Sequence, residues 1–228
     1  MQTVTQNPMV PGNPMRFSVI RVPFFLEPDY AQDFEETNRQ RLIRKWGGPA
    51  GWEAQKSRHG LKERGLEVGI ERFDLDRIAS NTMASHRLVQ WITRTRGPTA
   101  SEALYDLLNQ RHFVEGRKLN DYDMLSEAAE QTTGVSKEDA IAFLESGEGE
   151  DKIAAAGQML RQMGVHSIPT FIVDGRYKVS GAARSDEFVA LFRDIERSGD
   201  VQGRTIFAET LGVPEHVLDE GITVEAHA

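Results

Sequence analysis

The chain has 228 residues, a formal net charge of −8 at pH 7, 39% hydrophobic residues and no cysteine. The apolar fraction can fill a core, while the missing cysteines exclude disulfides, thiolate metal sites and a cysteine nucleophile within the chain. An acidic balance gathers no phosphates, no apolar run reaches the roughly 18 to 20 residues that span a bilayer, and no basic-then-apolar leader opens the chain. The expectation is therefore a cytoplasmic protein with neither nucleic acid nor membrane as partner.

Residues 1–14 are polar, carry Pro8, Pro11 and Pro14 and have no period, which predicts a disordered lead. Met15 to Leu26 is dense in β-branched and aromatic residues and predicts a strand ending near Pro23. Helical signals follow. Phe34 to Trp46 reads as a helix stopped by Gly47-Gly48-Pro49, and Trp52 to Arg64 as another ended by Gly65. Ser80 or Asn81 caps a helix to about Arg94, and Pro98 opens one to about Glu115, since proline is tolerated at a first helical position. Asp121–Gln131, Ser136–Glu145 and Asp151–Met163 are three more, the second with Ser136-x-x-Asp139 as a capping-box variant.

The stretch Gly164 to Gly181 reads as a β-hairpin. Pro169 enters the apolar run Thr170 to Val173 where it cannot donate to a ladder. Asp174-Gly175 then suits a two-residue type I′ turn, in which both residues need positive φ. Ser185 caps a last regular helix to about Glu196, with Phe188, Leu191, Phe192 and Ile195 at helical spacing. Another short helix is expected near Glu215.

Several of these segments carry a resemblance. Ile168-Pro169-Thr170-Phe171, the hairpin, Ser180-Gly181-Ala182 and a final helix look like the C-terminal half of a thioredoxin fold. Phe24-Phe25-Leu26-Glu27-Pro28 and Asn81-Thr82-x-x-Ser85-His86-Arg87-Leu88 resemble stretches of the DsbA-like family. The branch resembled is the FrnE-like one related to 2-hydroxychromene-2-carboxylate isomerases, with Ser85 standing where alanine is usual.

The resemblance implies an α/β, thioredoxin-like core with a large all-helical insertion at about residues 31–147. The domain then spans 15–200, and 201–228 is a C-terminal extension. It implies a cis Ile168–Pro169 bond beside the family's active site, although trans is the ordinary state of such a bond.

The family's opening strand, Cys-x-x-Cys loop and helix find no counterpart before Met15. The N-terminal strand–helix unit therefore reads as missing, and two hydrophobic strands lose a shared hydrogen-bonding neighbour. Three outcomes follow: the strands close up, a second protomer pairs with the unpaired sheet edge to give a homodimer, or an upstream reading frame encodes the rest. The third is favoured, and sequencing the full transcript tests it.

Family membership implies thiol–disulfide oxidoreductase or isomerase ancestry, but a cysteine-free chain predicts no dithiol turnover and no catalytic residue. The binding candidates are Val165, His166, Ser167, Ile168 and Pro169, whose backbone would hold a peptide or thiol compound, with Asn81 and His86 as further members. For His86, a histidine bonded between helices and core is the competing role. The alternatives are a non-catalytic binding module, or a relative of the glutathione-dependent isomerases and kappa-class transferases with glutathione as ligand. No other cofactor is expected. The six histidines show no metal-binding spacing.

Overall fold

The structure, a computed structural model, describes residues 1–67, 69–203 and 205–220. Residues 221–228 of the expected C-terminal extension lie outside them. The chain forms two compact units. The first comprises Met1–Phe24, Gln90–Thr99 and Gly149–Ala228, and the second Phe25–Val89 and Ala100–Glu148. In chain order, helix α1 (Gln2–Gln6) belongs to the first unit. Strand β1 (Glu35–Thr37), helices α2 (Asn38–Lys45), α3 (Pro49–His59) and α4 (Leu61–Glu67) and strand β2 (Ile78–Ser80) belong to the second. Helix α5 (Met83–Phe113) has residues in both. Helices α6 (Tyr122–Thr133) and α7 (Lys137–Ser146) complete the second unit. Helix α8 (Glu150–Gln162), strands β3 (Thr170–Val173) and β4 (Tyr177–Ser180), and helices α9 (Ser185–Ser198), α10 (Ala208–Leu211) and α11 (Glu215–Glu220) complete the first.

The helical starts and stops follow local chemistry. The Ser136 hydroxyl accepts from the Asp139 N–H at 3.1 Å to open α7, and Asp121 accepts from Met124 at 3.1 Å to open α6. At Gly97 the backbone leaves helical geometry (φ 86°, ψ 170°), immediately before Pro98, so α5 is two helices in series, as the proline predicts.

Two expectations are corrected here. The insertion is not all-helical, because β1 pairs antiparallel with β2 from Glu35↔Ser80 to Thr37↔Ile78. This takes three residues that periodicity alone assigns to a helix, and Thr37 then caps α2 in a full capping box with Gln40. Nor does Gly65 end a helix; α3 stops at Gly60, and Gly65 lies inside α4. An added Cβ at Gly65 would sit 2.8 Å from the Phe73 ring and 3.0 Å from the Ile70 carbonyl, so close packing, not turning, places glycine there.

In the first unit β3 and β4 form the expected hairpin, with Asp174 at φ 54° and Gly175 at φ 70°. Val173 pairs with Tyr177, leaving Arg176 outside the ladder, so the turn spans three residues where two were expected. The Asp174 carboxylate accepts from the backbone N–H groups of Gln202 (3.2 Å) and Gly203 (2.7 Å), tying the turn to the chain after α9.

The core of this unit gathers Ala156 and Leu160 of α8, Val165, and Phe207, Ala208, Leu211, Val213 and Val217 of the tail. Ile20, Val22, Phe24 and Ile172 pack against it. A second apolar layer is a row of rings. Phe171 meets Phe188 at 4.8 Å, Phe188 meets Phe192 at 6.1 Å, and Phe192 meets Phe17 at 4.9 Å.

Met15 to Leu26 is not a strand. Burial alternates from Met15 to Val19, as in an extended chain, but no ladder forms. A strand is defined by a partner, and none pairs with this segment among the described residues. The expected disordered lead instead carries α1, with Val4 fully buried. Arg193 of α9 donates to the Asn7 carbonyl at 2.6 Å, and Glu196 accepts from the Met9 N–H at 2.6 Å. No helix among the described residues is long and apolar enough to cross a membrane.

Candidate functional site

The loop between α8 and β3 is held at both ends and open in the middle. At its start the Val165 N–H bonds the Leu160 carbonyl at 2.9 Å, and the Val165 side chain, 5% exposed, enters the core cluster. At its end the Thr170 hydroxyl donates to the Ser167 carbonyl at 2.8 Å, and the Gly181 N–H bonds the Pro169 carbonyl at 2.9 Å. The Ile168–Pro169 peptide bond is cis. His166, Ser167, Ile168 and Pro169 are exposed, Ile168 at 50%. Among the described residues, the N–H groups of His166, Ser167 and Ile168 and the Ile168 carbonyl have no hydrogen-bond partner.

Such a loop can present three donors and an acceptor to a ligand that supplies its own backbone or amide groups, without help from a charged side chain. Of the five loop residues expected to bind, Val165 is the anchor, with its N–H already spent. The other four carry the free surface.

Asn81 and His86 lie in the second unit, apart in sequence and in unit from the loop. The Asn81 side chain is committed at both ends. Its Nδ2 donates to the Tyr30 carbonyl at 2.6 Å, and its Oδ1 accepts from the Met83 N–H at 2.8 Å as α5 begins. The His86 ring packs edge-on against Phe25 at 5.1 Å and is half-buried. Neighbouring Arg87 is 2% exposed and donates to the carbonyls of Phe143 (2.9 Å), Leu144 (3.0 Å) and Glu148 (2.8 Å). It thereby satisfies the carbonyls that end α7, a helix-capping role.

A polar cluster that no motif announces surrounds Tyr30. Its hydroxyl bonds Glu36, Arg44 bonds the same carboxylate at 2.6 Å, and Arg41 bonds Glu27 at 2.6 Å. Burial first, and then the Glu36 carboxylate, push the Tyr30 phenol up to about 12. Burial works to raise the Glu36 carboxyl too, but the bonds from Arg44 and Tyr30 outweigh it and hold the group below its ordinary value. Every member faces a counter-charge, so the cluster braces the chain between Glu27 and Arg44 and has no group spare for chemistry. No three metal-ligating side chains converge anywhere among the described residues.

Comparison with known proteins points one way. A family model described as a DSBA-like thioredoxin domain matches residues 49–193. The crystal structure of a probable DsbA oxidoreductase from Streptomyces coelicolor matches with a TM-score of 0.66 at 26% identity, covering 78% of this chain and 74% of that one. No curated protein matches. The hairpin, the helix after it and the helix-rich remainder are thus those of a DsbA-like thioredoxin fold.

Proposed function

This chain belongs to the DSBA-like thioredoxin domain family, and from that premise we propose that it acts as a binding member of the FrnE-like branch. Its loop His166–Pro169 holds an extended peptide or a small thiol compound, glutathione among them, through backbone hydrogen bonds. Thiol–disulfide exchange begins with attack by a thiolate, and these 228 residues include none. The chain therefore grips a thiol or disulfide client without itself exchanging electrons. The carrying observation is the set of unpartnered N–H groups at His166, Ser167 and Ile168 on a loop fixed at both ends.

Amide NMR on the full chain tests this, with glutathione and a short extended peptide titrated separately. Shifts are expected at His166, Ser167 and Ile168 with at least one ligand, while insulin reduction stays at background. Unmoved loop amides with both ligands overturn the binding role, and insulin reduction above background overturns the absence of turnover.

A further inference from the structure

The loop and its hairpin are basic in a chain that is acidic as a whole. The protein has 35 acidic residues, yet none falls between Asp151 and Asp174, and none between Asp174 and Asp186. Over residues 152–185 five cations, Lys152, Arg161, Arg176, Lys178 and Arg184, are set against a single carboxylate, Asp174. That carboxylate is spent at the turn, the far end of the hairpin from the loop, on Arg176 at 2.9 Å and on the backbone after α9. Arg176 also holds Asp200 at 2.8 Å, and Arg184 pairs with Asp186. Lys152 lies at the opposite end of α8, beside Gly212. Arg161 turns away from the loop, its Nη1 3.7 Å from where a Cβ on Gly157 would stand, one turn back along α8.

Lys178 is the cation left beside the loop. It stands opposite Ile172 in the ladder, and side chains directly opposite each other share a face of a sheet. Ile172 packs on the core cluster, as does Met163 at the end of α8, so the Lys178 stem leaves β4 on that side. Its Nζ comes within 4.0 Å of the position a Cβ on Gly164 would take, a place the glycine leaves empty. Lys178 is exposed, and among the described residues its ammonium forms no ion pair and no hydrogen bond. It does not bond even the carbonyls that end α8, where the helix dipole favours a cation. From there, standard bond lengths put the His166 N–H at most about 12 Å away.

We infer that the ligand of the loop carries a carboxylate and that Lys178 reads it. This role for Lys178 rests on the loop's binding role proposed above and adds the class of ligand. One carbonyl takes the N–H groups of residues 166–168, and a carboxylate stands within about three extended residues of that carbonyl. Unspent N–H donors and a lone ammonium, with no carboxylate among residues 152–173, match a negative ligand and make a cationic one a poor fit. A peptide ending in a free C-terminus has this chemistry, and so has glutathione.

Amide NMR titrations of the full chain at low salt, followed at His166, Ser167 and Ile168, test the role with two pairs of probes. One pair is glutathione and its diethyl ester; the other is acetyl-Val-Thr-Ala with a free C-terminal carboxylate and the same peptide as its C-terminal amide. In at least one pair the carboxylate form is expected to bind about 3- to 5-fold tighter than its neutral counterpart, the range of an exposed ion pair. Which pair responds distinguishes a thiol compound from a peptide end. Lys178→Gln should abolish that preference while leaving the neutral probe's affinity unchanged, and Lys178→Arg should keep it. Three results overturn the inference and leave the loop role standing: equal binding of both forms in the parent, a preference that survives Lys178→Gln, or equal weakening of both forms by Lys178→Gln, which makes the lysine a structural residue only. Loop amides unmoved by all four probes remove the loop role and the carboxylate with it.

Discussion

At the scale of single residues, the side chains that look chemical turn out to be those whose buried surroundings decide their role. Arg87 sits in a stretch resembling a family motif, yet its guanidinium is spent on three carbonyls near the end of α7, and its charge also lies over the Phe143 ring at 5.1 Å. Arg87→Met should cost about 3 kcal/mol, because it leaves buried carbonyls without donors. Urea unfolding measures the loss, and amide exchange should show the last turn of α7 opening first.

His112 gives a pH dependence of known sign. Burial first, and the nearby Arg77 charge after it, push its imidazole below the ordinary value, against the opposing bond to the Arg117 carbonyl. The ring therefore stays neutral in the fold, accepting from Arg77 at 3.3 Å. Below about pH 6.5 the unfolded chain takes up a proton that the fold resists, so stability falls as pH falls from there. His112→Gln keeps a donor and an acceptor without titrating. The variant should lose less stability than the parent between pH 7 and 5.5 in matched urea unfolding.

At the scale of elements, local signals were legible wherever the chain's own neighbours settle the matter. The Ser136 cap, the Gly97–Pro98 break and the positive φ of Asp174 and Gly175 each follow from chemistry within a few residues. Elements that need a distant partner were not legible. Glu35–Thr37 becomes a strand only because Ile78–Ser80 lies beside it, and Met15 to Leu26, with strand composition, forms no ladder because nothing pairs with it among the described residues. Gly65 makes the same point in reverse. Alanine there gains about 1 kcal/mol of helix propensity on paper, but its Cβ meets the Ile70 carbonyl and the Phe73 ring. Gly65→Ala should therefore lower the melting temperature, and a rise would show that the contact is soft.

At the scale of the whole molecule, the tail after Ser198 is part of the body. Five of the eight buried residues in the core cluster of the first unit come from it: Phe207, Ala208, Leu211, Val213 and Val217. Leu211 is fully buried, and Leu211→Ala should cost about 2 to 5 kcal/mol in chemical denaturation, far more than an extension hanging free would. Composition had already excluded disulfides and any thiolate chemistry by the chain itself, and the hairpin with its proline marked both the family and the exposed loop. Those conclusions rest on residue identity and on order within about twenty residues, where backbone preference and missing atoms suffice. Which backbone groups remain unpaired, which carboxylates and imidazoles are shifted, and that the tail closes the core were decided only by the tertiary structure. Hydrogen-bond satisfaction and burial depend on what long-range folding brings alongside, and no local pattern encodes that neighbour.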